Sequence, residues 1–522
     1  MTLFMAIPLL VVASAMLHPD RETWRHLAEN VLVGLVRNTL LLTLGVSLAT
    51  AVLGTGLAWL TAVCEFPGRR LFAWSLMLPL ALPAYVTGFV LVGLLDFTGP
   101  VQTFLREVFG PNLRLPPIRS GGGAALALTL ALYPYVYLLA RNAFLSQGRR
   151  ALEVGQSLGL SRRQGFLRIA LPMARPWIAG GVALVAMETL ADFGTVAVFN
   201  YDTFTTGIYK AWYSLFSLPA AAQLASVLML IVLVVLLVEQ HLRSGMRYTQ
   251  TGRASQARER IVLRGAAAWG ASLMCAAVLA AAFVVPVGQL AVWTLEVAAR
   301  DLDSRYWAYL ARSLLLASSA GLLIAGVALL MAYARRHHPD TLMNVMVRIA
   351  TLGYAVPGAV LAIGIYLPIA WFDHAYVALM RELFARDAAP LLSGTLAAML
   401  SAYLVRFLAV AYEPVSAALQ RITPSMDEAA RSLGLTGRQL LARVHLPLLR
   451  GGVLTAALLV FVDVMKEMPI TLMTRPFGWD TLATRIFEMT SEGEWERAAL
   501  PAVALVLAGL APVILLTRQT ER

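Results

Sequence analysis

The strongest constraint on this chain is a succession of apolar runs, each near or above the roughly 20 residues that a helix needs to cross a bilayer. They occupy residues 33–63, 71–95, 123–145, 173–199 and 218–240, then 266–295, 309–334, 345–372, 388–413, 449–474 and 498–517. Residues 1–17 form a shorter run, in which Ala13-Ser14-Ala15 resembles a signal-peptide cleavage site. No basic segment precedes it, and six spans per half require it, so it reads as a retained first span. Composition agrees. Of the 522 residues 59% are hydrophobic and 14% charged, where soluble domains run about 45–50% apolar and about 25% charged. No polar block is long enough for a soluble catalytic domain. The sequence predicts an all-α polytopic membrane protein with about 12 transmembrane helices.

The net charge of +12 suggests nucleic acid until its positions are read. Lysine occurs only at Lys210 and Lys466, so nearly all the positive charge is arginine. With the amino terminus inside, segments 64–70, 146–176, 241–264, 335–348, 420–450 and 518–522 are cytoplasmic and hold 24 Arg against 7 acids. The opposite side holds 13 basic and 17 acidic residues. Basic residues gather on the cytoplasmic side of membrane proteins, so both termini are expected inside, and the charge is a topology signal. Cys64 and Cys275 make no CxxC pair and read as small space-filling residues.

The chain also repeats itself. Glu153, Ser157-Leu158-Gly159-Leu160-Ser161, Gln164 and Ile169-Ala170-Leu171-Pro172 recur as Glu428, Ser432-Leu433-Gly434-Leu435-Thr436, Gln439 and Val444-His445-Leu446-Pro447, all at an offset of 275. Pro83 pairs with Pro357 at 274, Glu188 with Asp463 at 275, and Asp202–Tyr209 with Asp480–Phe487 at 278. Two parallel copies of a six-span unit follow, residues 1–241 and 265–522, joined by an arginine-rich cytoplasmic linker, 242–264. An even number of spans per copy gives both the same orientation, hence a pseudo-two-fold axis along the membrane normal.

Each repeated loop, 153–172 and 428–447, reads as a helix–turn–helix knob. Gly159 and Gly434 supply the left-handed residue that closes the first helix. Ser161 with Gln164, and Thr436 with Gln439, have capping-box spacing for the second. Pro172 and Pro447 suit a first helical turn where the chain re-enters the membrane. Two copies of one knob suit docking to a two-fold partner.

At these residues the chain resembles a known family. Glu428-Ala429-Ala430, Gly434 and Leu446-Pro447 resemble the EAA loop of ABC-importer permeases, with Glu153, Gly159, Leu171 and Pro172 as the first copy, which departs from the pattern at Val154 and Gly155. The resemblance implies a fused pair of permease domains of the type I ABC importer fold, in a bacterial cytoplasmic (inner) membrane. It also implies two ATP-binding cassette ATPase subunits on the loops and an extracytoplasmic solute-binding protein. Residues 188–212, with Asp463–Pro469 and Arg475–Gly478, resemble the ferric-iron permeases. Fused permeases for thiamine and phosphonates share the architecture, and both stay open as cargo. Neither lysine follows a glycine, so the chain holds no phosphate-binding loop ending in Gly-Lys-Ser/Thr, and ATP hydrolysis is expected on a separate subunit. The seven histidines have no metal-ligand spacing, and no catalytic constellation, resident metal or cofactor is expected.

Charges inside spans are costly and mark a pathway or a pair. Here they are Arg37, Arg141, Glu188, Asp192, Glu239, Arg312, Arg406, Glu413, Asp463, Lys466 and Glu467. Glu188 with Asp192, and Asp463 with Glu467, are spaced i, i+4, which places each pair on one helix face. Glu467 lies about 30 Å of helix beyond Pro447, in the outer half. The four acids read either as a cation vestibule on the translocation path or as structural partners of Arg141, Arg406 or Lys466. A twelve-span secondary transporter is the rival class, one that leaves the twin knobs without a purpose.

Overall fold

The computed structural model describes residues 2–17, 21–148, 156, 157, 159–244, 260–384 and 388–520, and these are almost entirely helical. Among them ten helices are long and apolar enough to cross a membrane. Thr2–Ser14 is a helix of 13 residues, shorter than a span. Helix starts follow local chemistry. Ser120, Asp303, Asp340 and Thr395 each accept the backbone N–H three residues on, the bond that satisfies an otherwise orphaned first-turn donor.

Two expected spans are interrupted, and at matching places. The run 71–95 divides into Arg69–Ser75, a 3-10 turn Leu78–Ala81 and the helix Ala84–Leu95. The run 345–372 divides into Thr341–Thr351, a turn Leu352–Ala355 and the helix Gly358–Phe384. Pro83 and Pro357 cause the break: proline carries no N–H and pushes the residue before it out of the helical region. Leu82 and Val356 accordingly sit extended, at ψ 129° and 132°. The exposed carbonyls are served from a neighbouring helix. Tyr133 and Tyr137 donate to Leu76 O and Ala73 O in the first copy, and Arg406 donates to Val356 O at 2.9 Å in the second. In a bilayer such service is obligatory.

The compact units do not follow the two sequence halves. One unit holds residues 29–206 and 230–295, the other 1–28, 207–229 and 296–522. In the second unit Thr2–Ser14 packs on Gly358–Phe384, and Met5, Pro8 and Val12 form the buried face of its helix. The fit is close: a Cβ on Gly364 would lie 2.5 Å from the Pro8 carbonyl oxygen. In the first unit the second-half helix Ala266–Leu279 packs on the Arg69–Ser75 segment, with Ser272 donating to Pro67 O at 2.8 Å. Beside it the linker end pairs with the first half as a two-residue parallel ladder, Cys64 with Ile261 and Glu65 with Val262. Segments are thus exchanged between the sequence repeats, because an apolar helix buries its face wherever a complementary one is offered.

Within each unit the long helices meet through small residues, as membrane helices do in the absence of a hydrophobic drive between them. A Cβ on Gly54 would approach Val136 Cβ to 2.9 Å, and one on Gly321 would approach the Ala457 carbonyl to 2.7 Å. The outward stripe of the helix Val33–Val63 is Leu41, Leu44, Leu48 and Val52, each at least 60% exposed, while Leu42, Val46 and Leu57 face inward. Apolar outside and packed inside is the pattern a lipid solvent selects.

Candidate coupling loops and translocation path

In the second loop, Pro424–Ser432 is a helix with proline in its first turn. Gly434 closes it at φ +82°. Leu435 N–H reaches Ala430 O at 3.1 Å, and Gly434 N–H reaches Arg431 O at 2.9 Å. That bond pair is a Schellman ending, the role expected of this glycine. In the first loop Gly159 sits at φ +77°. Ser161 and Gln164 form the expected reciprocal box, with Ser161 N–H on Gln164 Oε1 at 3.0 Å and Gln164 N–H on Ser161 Oγ at 3.3 Å. In the second copy Gln439 N–H binds the Thr436 carbonyl at 3.0 Å, so that turn closes through backbone. Glu153 lies outside the described residues, as do Val154, Gly155 and Leu158.

Pro172 and Pro447 stand in the first turns of the helices Leu171–Ala191 and Leu446–Lys466, as expected. Each of these helices runs on directly from a π-helical turn, Phe166–Ala170 or Leu441–His445. Leu171 N–H reaches back five residues to Phe166 O, and Leu446 N–H to Leu441 O. The wider turn lets the pyrrolidine ring clear the carbonyl four residues back, which an α-turn would not.

Glu428 and Ala429 are exposed on the second loop helix and Ala430 is buried. Met426 and Leu433 are 44% and 81% exposed. With Ala429 they fall at helical spacing on one uncovered apolar stripe. The helix is anchored from its other side. Asp427 accepts from Arg336 Nη2 at 2.7 Å and lies 2.7 Å from His445 Nε2. Burial works against the Asp427 charge, but the hydrogen bonds and charges of Arg336 and His445 outweigh it and hold the carboxyl below the usual range.

Asp192 and Glu467 sit at helix ends. The helices Leu171–Ala191 and Leu446–Lys466 stop at Asp192 and Glu467, whose backbones turn extended. Each acid then holds the short helix that follows. Asp192 accepts from Thr195 Oγ1 at 2.8 Å and Val196 N at 3.0 Å. Glu467 accepts from Ile470 N at 3.2 Å. The spacing therefore places Glu188 and Asp463 on the helices but the second acid of each pair just past the helical end. Glu467 also pairs with Arg406 Nε at 3.3 Å, both side chains nearly buried. Arg406, one of the three bases named from sequence, thus bonds one of the acid pairs.

Four residues of consequence escape sequence reading. Arg336 and His445 look like ordinary cytoplasmic charges, and Asp427 is overshadowed by Glu428. Comparing the copies residue by residue would have marked them, since Ala62, Leu152 and Ala170 stand at the matching offsets of 274 and 275. Asp373, one residue past the expected span 345–372, is 2% exposed and accepts the N–H groups of Leu391, Leu392 and Ser393. Among the described residues no three His, Cys, Asp or Glu side chains gather as a metal site.

Paired spans broken at the same proline, a repeated loop and unwound, acid-capped helix ends define an integral-membrane permease. The chain belongs to the family described as binding-protein-dependent transport system inner membrane component, which matches it twice, over residues 52–248 and 324–521. It is 28% identical to the Fe(3+)-transport system permease protein FbpB 2 of Haemophilus influenzae over 93% of this chain and 89% of that protein. The ferric transport system permease protein FbpB of Actinobacillus pleuropneumoniae is 23% identical over 98% of this chain and 75% of its own length. The molybdenum transport system permease protein ModB of Escherichia coli is 30% identical over 36% of this chain and 83% of its own. This is a multi-pass membrane permease component, and its relatives are transport proteins.

Proposed function

We propose that the chain is the translocation subunit of an ATP-driven importer for ferric iron. It takes its cargo from an extracytoplasmic binding protein and is driven by two ATPase subunits docked on the loops 153–172 and 428–447. Both termini are cytoplasmic, and residues 1–241 and 265–522 are the two evolutionary copies, whatever their exchanged packing. The observation that carries the reading is the second loop: a helix fixed by Asp427 on one side and presenting Met426, Ala429 and Leu433 uncovered on the other. An uncovered apolar stripe on a braced polar loop suits a protein partner. Iron is favoured over molybdenum or sulfate because the relatives that span both copies carry ferric names, while the molybdenum and sulfate relatives match 36–47% of the chain.

Glu188, Asp192, Asp463 and Glu467 line the path in this reading. Irregular backbone at membrane depth occurs where it borders a cavity or is buried in protein, and Asp192 and Glu467 stand at two such breaks. Reconstitution with candidate ATPase and binding-protein subunits tests the assignment. Glu428→Arg is expected to abolish ferric uptake and release the ATPase while the permease still inserts. An intact complex that transports normally would refute the docking, and uptake of thiamine or a phosphonate in place of iron would refute the cargo.

A further inference from the structure

The two coupling loops differ in how they are tied to the membrane helices. His445 is fully buried at the π-helical turn before Pro447, and its Nε2 lies 2.7 Å from Asp427 Oδ1. Arg336, at the end of the helix Ser304–His337, spends its guanidinium on three acceptors. Nη2 donates to Asp427 Oδ2 at 2.7 Å, and Nη1 donates to Leu419 O at 3.1 Å and Ile422 O at 2.9 Å. Those carbonyls belong to the end of the helix Leu396–Gln420 and the turn leading into the loop. One arginine thus joins three elements, and the aspartate adds a fourth through the histidine. Around them stand the rings of Tyr333, 5.7 Å from His445, and of His337, 4.3 Å from Tyr333; the charges of Arg336 and Arg431 act on the same tyrosine.

The first copy carries Ala62, Leu152 and Ala170 at the three corresponding positions. All three partners change together, from ionic to apolar. Single drift would leave one charge stranded, at a large cost, so the three residues behave as one unit present in one copy.

We propose that Arg336, Asp427 and His445 are positioning residues: a latch that makes the second loop move rigidly with the helices Ser304–His337 and Leu446–Lys466. The second loop then transmits displacement, whereas the first copy lacks these three residues. The proposal rests on the ATPase-docking reading above. Charge-assisted bonds are the strong, geometrically fixed ones, and a lever needs such stiffness more than it needs net stability.

The test installs the first copy's own residues, Arg336→Ala with Asp427→Leu and His445→Ala, so that no charge is left stranded. In the full chain in nanodiscs, amide exchange over residues 424–435 is expected to rise by about tenfold or more, the effect of losing charge-assisted bonds. In proteoliposomes with both partner subunits and radiolabelled ferric iron, uptake per ATP hydrolysed is expected to fall several-fold, with ATP hydrolysis itself retained. Unchanged exchange refutes the latch. Faster exchange with an unchanged uptake-to-ATP ratio refutes its role in coupling, since a purely structural contact would alter only stability. Normal uptake by Glu428→Arg in the same assay would instead sink the docking reading, and the lever with it.

Discussion

The buried pair Arg406–Glu467 offers the most direct test of how the second copy is held together. Arg406→Met keeps the apolar stem but removes the charge. Two groups then lose their partner: the Glu467 carboxylate, 7% exposed, and the Val356 carbonyl left free by Pro357. Stranding one member of a buried ion pair costs about 3–5 kcal/mol, and an orphaned buried carbonyl adds about 1–3 kcal/mol. Glu467→Gln is the milder change. The amide oxygen still accepts from Ile470 N–H, and Arg406 keeps the Val356 carbonyl and its place 5.7 Å from the Phe407 ring centre. The expected order of stability is wild type, Glu467→Gln, then Arg406→Met, with Arg406→Met/Glu467→Met recovering much of the loss. The protein supplies its own probe. Cys64 and Cys275 are 4% and 0% exposed, so a maleimide dye that fluoresces on reaction reports unfolding. Uptake per folded molecule is read alongside. Arg406→Met melting like wild type would refute the energetic argument. Glu467→Gln transporting normally would remove that acid from the path while leaving its structural role.

Two further outcomes follow from single contacts. Gly358→Ala places a Cβ 2.6 Å from Glu467 Oε1 and 3.2 Å from Pro469 Cγ, a clash that displaces the carboxylate; overpacking of this kind costs about 1–3 kcal/mol, and an unchanged melting temperature would contradict it. Asp427 titrates below the usual carboxylate range, so its stabilisation is fully present above the unfolded value of about 3.9 and disappears as pH falls through the lower folded value. The melting difference between wild type and Asp427→Asn should therefore shrink as pH falls below about 4; a difference that grows on that acidification would refute the sign.

Much of this molecule is determined by residues acting on their immediate neighbours. Apolar runs of spanning length specify helices in lipid. Gly434 ends its loop helix, and Gly159 takes the same left-handed backbone, because only a residue without a Cβ takes positive φ freely. Ser161 and Gln164 bond across three residues, and the repeat itself announces two copies of one fold. The proline breaks were present in the sequence, but hydropathy averages over them, so 71–95 and 345–372 read as unbroken. What the tertiary structure decided is every pairing between distant positions. Thr2–Ser14 packs with the second copy and Ala266–Leu279 with the first, a choice made by the shape of apolar faces that all look alike in composition. Glu467 meets Arg406 across 61 residues and Asp427 meets Arg336 across 91. A charge in a sequence shows that a partner or a water path is required, since burial alone is too costly. Which partner answers depends on where helices cross, and only the packed chain sets that.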